Sequence, residues 1–225
     1  MNFLLVGNSR LHWAKYAESE YKFFHTNKND ALPENMNTNK IIWAAVGESP
    51  KLILKKKNEI KTKDIQLSNL PDSFGVDRAL ACIAALKIIE NPFKKDLLIA
   101  DFGTILSITK LNSNGSIIGG QLLPGFLTQL KSMEQNTKNL KVPIKYDIPH
   151  KDFLINTEEA ILKGIINSLT GVLNSLFNPE KDILIICGGD AELFAKSLKS
   201  QKENIITAPN LVMKGMIIHH LCAKN

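Results

Sequence analysis

The stretch LLIADFGTILSITKL, residues 97–111, decides the fold of this chain. It joins two apolar runs, each long enough to form a buried strand, through a turn that contains Asp101, Gly103 and Thr104. An unpaired carboxylate is costly to bury, so Asp101 needs a compensating partner where its strand ends. The pattern therefore predicts two buried strands with a polar site at the turn between them.

A similar pattern, LLVGNSRLHWA, occupies residues 4–14, where an apolar strand is followed by Gly7, then Ser9 and a second strand. This weak internal repeat predicts two α/β domains, residues 1–95 and 96–225, each opening with a three-strand meander. A further strand is predicted at Asp64 to Ser68, and helices at residues 77–90, 125–140, 158–177 and near the C-terminus. A duplicated α/β domain would place both turns at one cleft, where backbone N–H groups can face an anion.

Composition narrows the class of protein. The chain has 225 residues, 44% of them hydrophobic, and no run reaches the roughly 18 to 20 apolar residues of a membrane span. The N-terminus enters a strand-like run without a basic stretch, so we expect no cleavable leader. We therefore expect a soluble, cytoplasmic protein that does not bind membranes. Cys82, Cys187 and Cys222 are widely spaced in apolar segments, which favours reduced core thiols over disulfides or a zinc site.

The formal net charge of +6 raises the possibility of nucleic-acid binding. The densest basic run, KLILKKKNEIKTK at residues 51–63, lacks arginines and aromatic residues, which favours a solvated face and argues against nucleic acid as a partner. The chain contains only two arginines, Arg10 and Arg78. Because a guanidinium forms a bidentate fork that lysine cannot, both neighbourhoods are candidate binding sites.

Several motifs, in order and spacing, resemble the type III pantothenate kinases of the acetate kinase, sugar kinase, Hsp70 and actin superfamily. The motifs that carry the resemblance are GNSR (7–10), PDSFGVDR (71–78), DFGT (101–104), GGQLLPGF (119–126), TEEAILKG (157–164), CGGDA (187–191) and PNLVMKG (209–215). Each of them is weak alone. Together they run through most of the chain and are specific.

The resemblance implies a duplicated actin-like (ribonuclease H-like) α/β fold with ATP bound in a cleft between the domains. It also implies transfer of a phosphoryl group from ATP to the primary hydroxyl of pantothenate, which gives 4'-phosphopantothenate in the first step of coenzyme A biosynthesis. Members carry Mg²⁺ with the nucleotide, require a monovalent cation such as K⁺ or NH₄⁺, and form homodimers. The pantothenate pocket lies near the dimer interface.

The resemblance also implies roles for single residues. Asp77 is the expected general base, and Asp101 the ligand of the monovalent cation. The residues expected to bind pantothenate are Ser68, Gly75, Val76, Asp77, Arg78 and Thr157. Those expected to bind ATP are Gly7, Asn8, Ser9, Arg10, Thr104, Gly188 and Gly189. Structural alternatives remain. Asp77 and Thr157 could each serve only as a helix N-cap. Asp101 and Thr104 could form only a polar turn between strands, and Gly188 and Gly189 only a strand-to-helix turn.

Two positions depart from the family pattern. Leu5 stands where members usually have an aspartate, two residues before the first turn glycine, and Ser68 stands where they usually have an aromatic residue. The loss of an acidic group that would help to position Mg²⁺ supports an alternative function. In that alternative the chain is a catalytically silent homologue that binds ligands or regulates. Flat titrations with nucleic acid at low salt would exclude the nucleic-acid alternative.

Overall fold

The computed structural model describes residues 1–18, 20–30, 33, 37–47, 54–90, 94–143, 146–198 and 204–223. Part of the basic run, residues 51–53, lies outside these ranges. The strands and helices within them, in chain order, are β1 (Asn2–Val6), β2 (Arg10–Ala17), β3 (Glu20–Asn27), β4 (Ile41–Ala45), α1 (Val76–Ile88), β5 (Asp96–Phe102), β6 (Ile105–Leu111), β7 (Ile117–Pro124), α2 (Phe126–Asn136), α3 (Thr157–Leu176), β8 (Asp182–Cys187), α4 (Ala191–Ser197), β9 (Ile205–Thr207) and α5 (Leu211–Cys222).

The chain divides into two units. Unit 1 comprises Met1–Pro92, Asn114–Ile117 and Asn210–Asn225, and unit 2 comprises Phe93–Ser113 and Ile118–Pro209. The sequence-based division into 1–95 and 96–225 assigns α5 to the second domain, whereas its contacts assign it to unit 1. The physical reason is that α5 packs backbone to backbone on α1, since a Cβ on Gly215 would lie 2.0 Å from the carbonyl oxygen of Leu80.

Unit 1 is a four-stranded sheet in the order β3-β2-β1-β4. Side chains alternate between its two faces. Phe3 and Leu5 point to the face covered by α1 and α5, where they join a cluster with Ala79 and Met216. The opposite face of the sheet has its own apolar cluster, made of Leu4, Val6, Leu11, Trp13, Ile41 and Trp43. The sheet of unit 1 is therefore apolar on both faces.

Unit 2 is a five-stranded sheet in the order β7-β6-β5-β8-β9. Its core packs Leu98, Ala100 and Ile186 of the sheet against Leu169 of α3. The carboxylate of Asp182 is fully buried at the start of β8, and the Lys110 ammonium lies 2.9 Å from it. A buried charge in this unit is thus paired, as burial of a carboxylate requires.

The two sheets share one topology. In each, the first strand pairs antiparallel with the next strand on one side, β1 with β2 and β5 with β6. On its other side it pairs in parallel with a later strand, β4 or β8. The predicted fold class, a duplicated actin-like α/β fold, is confirmed.

Two local predictions are wrong. Residues 64–68 form no strand, because a 3-10 turn at Thr62–Asp64 is fixed by the Asp64 carboxylate, which accepts the Lys61 N–H at 2.8 Å. Instead, Glu59 forms an isolated parallel bridge with Trp43 in the middle of β4. Cys222 is exposed and is not a core thiol, since it lies in the last turn of α5, whereas the other two cysteines are buried.

Candidate active site

The first turn of unit 1 follows β1 and is tightly closed. The Gly7 N–H donates to the carbonyl oxygen of Arg10 at 3.0 Å. A Cβ on Gly7 would lie 3.0 Å from that oxygen and 3.1 Å from Nε2 of His12, so the position is suited to glycine. Asn8, Ser9 and Arg10 are exposed around this closed backbone. The four residues predicted to contact ATP phosphates are therefore together in one accessible turn.

His12 was not predicted as a site residue. It is the cross-strand partner of Leu5 on β2, and its ring lies 5.7 Å from that of His25 on β3. Burial, with the charges of His25 and Arg10, lowers the pKa of His12 to about 4, so the ring is neutral near pH 7. The period of two along β2 places position 12 only on the same face as position 14, and the register with β1 is what brings it opposite Leu5.

Leu5 is a core residue. Its side chain is only 7% exposed and belongs to the apolar cluster that includes Val76 at the start of α1. Its neighbour in β4 is Ala44. Beside the first turn the structure therefore has apolar packing at the position where the family pattern has a carboxylate.

Asp77 lies in the first turn of α1, but the N-cap position belongs to Gly75. The carboxylate of Asp77 accepts the Arg78 N–H at 2.8 Å, and a Cβ on Gly75 would lie 2.7 Å from its Oδ1. Burial raises the pKa of Asp77, while this hydrogen bond and the charge of Arg78 act in the opposite direction. The simple N-cap alternative is therefore wrong, and Asp77 has a partly desolvated carboxylate beside a glycine.

Arg78 follows Asp77 and is half-buried. Its guanidinium lies 4.0 Å above the ring of Phe74, an arrangement in which the ring face attracts the cation. Burial lowers the pKa of Arg78, yet a guanidinium remains charged in proteins. This arginine is thus held beside the residues that begin α1. Cys82, one turn further, has a pKa raised to about 12 by burial and stays a thiol.

In unit 2, Asp101 lies near the C-terminal end of β5, between Ser107 of β6 and Cys187 of β8. It is half-buried, so the cost of desolvating its charge is smaller than for a fully buried carboxylate. Gly188 packs directly on it, because a Cβ there would lie 2.4 Å from Oδ1 of Asp101 and 2.4 Å from the carbonyl oxygen of Phe102. With φ at +90°, Gly188 also has a backbone conformation that favours glycine.

Thr104 is exposed in the turn after β5. Its carbonyl oxygen accepts the Gly125 N–H at 2.9 Å and the Thr128 hydroxyl at 2.6 Å, both from the start of α2. A Cβ on Gly125 would lie 2.0 Å from the carbonyl oxygen of Gly103. The beginning of α2 therefore fixes the backbone of this turn. The structure thus brings Asp101, Thr104, Gly188 and Gly189 to neighbouring strand ends of unit 2.

Thr157 and Ser68 are exposed, and the structure links neither to the other predicted site residues. The N-cap of α3 is Asn156, whose side chain accepts the Glu159 N–H at 3.0 Å. The N-cap alternative for Thr157 is therefore wrong. Ser68 lies in the irregular segment before α1, where its carbonyl oxygen accepts the Ile117 N–H at 3.0 Å.

Within the described ranges, no group of three or more His, Cys, Asp or Glu side chains could hold a metal ion. Over the same ranges, no helix has both the length and the apolar character needed to cross a bilayer. A carboxylate-rich metal cage is thus not part of the described site.

Known proteins resemble the chain in sequence and in fold. A family model described as type III pantothenate kinase matches residues 31–178. A type III pantothenate kinase from Synechocystis sp. is 29% identical over 96% of this chain and 89% of its own length. Another from Acinetobacter baumannii is 32% identical over 65% of this chain and 57% of its own. A structure from Campylobacter jejuni, described as a Baf family transcriptional activator, superposes over both full chains with a TM-score of 0.71 at 21% identity, a likeness of fold alone.

Proposed function

The chain belongs to the type III pantothenate kinase family, and from this premise we propose that it transfers the γ-phosphoryl group of ATP to the primary hydroxyl of pantothenate with Asp77 as general base. The products are ADP and 4'-phosphopantothenate. As the new O–P bond forms and the bond to the leaving ADP breaks, the hydroxyl proton moves to the Asp77 carboxylate. This reaction is the first step of coenzyme A biosynthesis.

The observation that carries the assignment of Asp77 is its carboxylate beside Gly75 at the start of α1. A base works best when its pKa approaches the working pH, and burial raises the pKa of Asp77 in that direction. The hydrogen bond from the Arg78 N–H holds one carboxylate oxygen in place.

The proposed contacts to the nucleotide lie in the turn after β1 in unit 1, and in the turns after β5 and β8 in unit 2. In unit 1, the residues Gly7–Arg10 bind phosphate oxygens through exposed polar groups and the Arg10 guanidinium, which suits phosphate geometry. In unit 2, the exposed Thr104 hydroxyl binds a phosphate oxygen. Gly188 and Gly189 follow β8 and contact the adenosine moiety, and the open space at the Cβ position of Gly189 leaves room for it.

The two cations fit this chain differently. Asp101 offers a carboxylate oxygen at a strand end beside the backbone carbonyl of Phe102, and oxygen donors of this kind suit K⁺ or NH₄⁺. By contrast, the buried Leu5 offers Mg²⁺ no ligand beside the first turn. Mg²⁺ is commonly held by one or two carboxylates together with substrate phosphates.

Pantothenate is bound by Gly75, Val76 and Arg78 at the start of α1, with Ser68 and Thr157 as further contacts. We also propose a homodimer. Phe153 is 94% exposed and Ile155 is fully exposed, immediately before Thr157, and apolar side chains exposed to this degree are candidates for burial in an interface. Sedimentation velocity checks the dimer, and a single monomeric species at micromolar concentration would exclude it.

A silent homologue is the second candidate, favoured by the apolar packing of Leu5. Three measurements separate the two functions: ADP release from ATP and pantothenate with Mg²⁺ in K⁺, the same assay in Na⁺, and calorimetric binding of pantothenate. We expect turnover that depends on K⁺, and a decrease in kcat of about 100- to 10,000-fold in Asp77→Asn with an unchanged melting temperature. Pantothenate binding without turnover in any salt would establish the silent homologue, and full activity of Asp77→Asn would exclude the base assignment.

A further inference from the structure

A cavity of about 260 Å³ lies within unit 1, where β4 ends and α1 begins. Its walls come from three segments, namely residues 45–47 after β4, residues 59–62, and Phe74–Val76 at the start of α1. Pockets for small molecules begin at about 300 Å³, so this cavity suits a compact acceptor better than a nucleotide. It lies beyond the C-terminal end of β4, which runs parallel to β1, and open α/β sheets bind ligands at the C-terminal ends of such strands.

Lys61 supplies the cation on the wall of this cavity. Its ammonium lies 3.3 Å from the carboxylate of Glu59, and its side chain is 53% exposed, compared with 17% for Glu59. An ion pair with one exposed partner is weak, so the long lysine stem can reorient toward a ligand at little cost. The first turn of α1, which begins at Val76, adds the positive end of a helix dipole.

The backbone around Lys61 is held firmly on both sides. The Ile60 N–H donates to the carbonyl oxygen of Trp43 at 2.7 Å, and the Thr62 hydroxyl donates to the carbonyl oxygen of Phe74, also at 2.7 Å. The Lys61 N–H itself donates to the Asp64 carboxylate. The backbone that carries the Lys61 side chain therefore needs little further ordering when a ligand binds.

Gly75 connects this cavity to the proposed base. It lines the cavity, and the Oδ1 atom of Asp77 lies 2.7 Å from the place where its missing Cβ would be. Gly75 and Val76 immediately precede Asp77, so the cavity borders the start of α1, where the proposed base lies. The acceptor has a hydroxyl at one end and a carboxylate at the other, so its carboxylate end calls for a cation, and Lys61 is a cation that lines the cavity.

We propose that Lys61 binds the carboxylate of the acceptor in this cavity and makes the kinase selective for acceptors with a negatively charged end. The inference rests on the proposed function, because it takes pantothenate as the acceptor. Glu59 competes with the acceptor carboxylate for the same ammonium. Removal of Glu59 and removal of Lys61 therefore have opposite effects on pantothenate binding.

The test uses two acceptors and the full chain. One acceptor is pantothenate and the other is pantothenyl alcohol, in which an uncharged hydroxymethyl group replaces the carboxylate. In Lys61→Met we expect the KM and the calorimetric Kd for pantothenate to rise about 10- to 100-fold, the size of a hydrogen bond to a charged group, with kcat unchanged. The values for pantothenyl alcohol stay as in the unsubstituted protein.

Three further variants sharpen this test. Glu59→Gln should lower the Kd for pantothenate several-fold, Lys61→Arg should retain most of the affinity, and Lys63→Met, an exposed lysine outside the cavity wall, should change nothing. An equal loss for both acceptors in Lys61→Met, or no loss for either, would overturn the proposal. Calorimetry needs no turnover. A protein that binds pantothenate but releases no ADP would therefore refute the kinase reaction, and the calorimetric Kd values of the variants would still decide the role of Lys61.

Discussion

The two strand-end turns differ in polarity although their strands are connected alike. Two positions before the turn glycine, unit 2 has Asp101, on which Gly188 packs, and unit 1 has Leu5, buried against α1 and α5. The antiparallel neighbour is Ser107 in unit 2 and His12 in unit 1. The comparison teaches that topology fixes where a turn lies, while a single side chain decides whether a carboxylate stands beside that turn.

The largest expected effect comes from Gly188→Ala. The new Cβ would overlap the Asp101 carboxylate and the Phe102 carbonyl, and φ at +90° adds backbone strain. We expect a loss of about 3 kcal/mol or more in the free energy of unfolding, measured by urea denaturation. Gly189→Ala is the matched control, since its Cβ would meet no described atom within 4 Å, and equal losses in both variants would contradict the close packing on Asp101.

The second change copies the polarity of unit 2 into unit 1. Leu5→Asp buries a carboxylate in an apolar cluster, so we expect a loss of about 2–4 kcal/mol in the free energy of unfolding. Leu5→Met keeps the volume and should lose less than about 1.5 kcal/mol. If Leu5→Asp were as stable as Leu5→Met, the Leu5 side chain would not be in the apolar cluster.

The third change removes the carboxylate of Asp101 from unit 2. Unit 1 has no carboxylate at the equivalent position, Leu5. If Asp101 holds the monovalent cation, Asp101→Asn should reduce the K⁺-stimulated rate by roughly 10-fold or more and leave the rate in Na⁺ unchanged. ADP release in the two salts measures this effect. Asp96→Asn, at the other end of β5, is the control that should retain the response to K⁺. An unchanged response in Asp101→Asn would remove this residue from the cation site.

The smallest expected effect concerns His12, the residue opposite Leu5. Its pKa is about 4 in the folded protein and 6.5 in a model peptide, so the unfolded chain binds more protons between these values. Stability should therefore fall as the pH decreases from 6.5 toward 4, by on the order of 1 kcal/mol between pH 7 and pH 5. Urea denaturation at both pH values measures this change.

A matched pair of variants assigns the acid sensitivity to unit 1. In His12→Gln the difference between pH 7 and pH 5 should shrink, whereas His150→Gln, at an exposed histidine of unit 2, should keep it. The same shrinkage in both variants would show that His12 is not the titrating group.

Much of this fold was predictable because its signals are local. Runs such as DLLIAD and ILSITKL, with glycine and polar residues between them, gave β5, β6 and the turn that contains Thr104. The placement of α5 was not predictable in this way, because its contact with α1 joins residues far apart in sequence. The predicted strand at residues 64–68 failed because β4 pairs with Glu59 instead, and periodicity does not reveal a strand's partner.

For the site, sequence motifs located the turns but not the environment of each side chain. Asp77 and Thr157 are both near helix starts, yet only the structure shows Gly75 and Asn156 in the capping positions. His12 carries no motif, and its lowered pKa results from burial and from charges on neighbouring strands. Such properties depend on tertiary packing, which a single sequence does not encode locally.

The contact between α5 and α1 has a consequence for biosynthesis. A ribosome makes the strands of unit 1 first and α5 only after every residue of unit 2, although α5 contributes Met213, Met216 and Ile217 to the core of unit 1. Unit 2 is thus complete in the nascent chain while unit 1 still exposes the apolar surface that awaits α5. Unit 1 is therefore begun first but completes its core last. A chaperone that shields nascent chains would bind the apolar surface of unit 1 that α5 later covers.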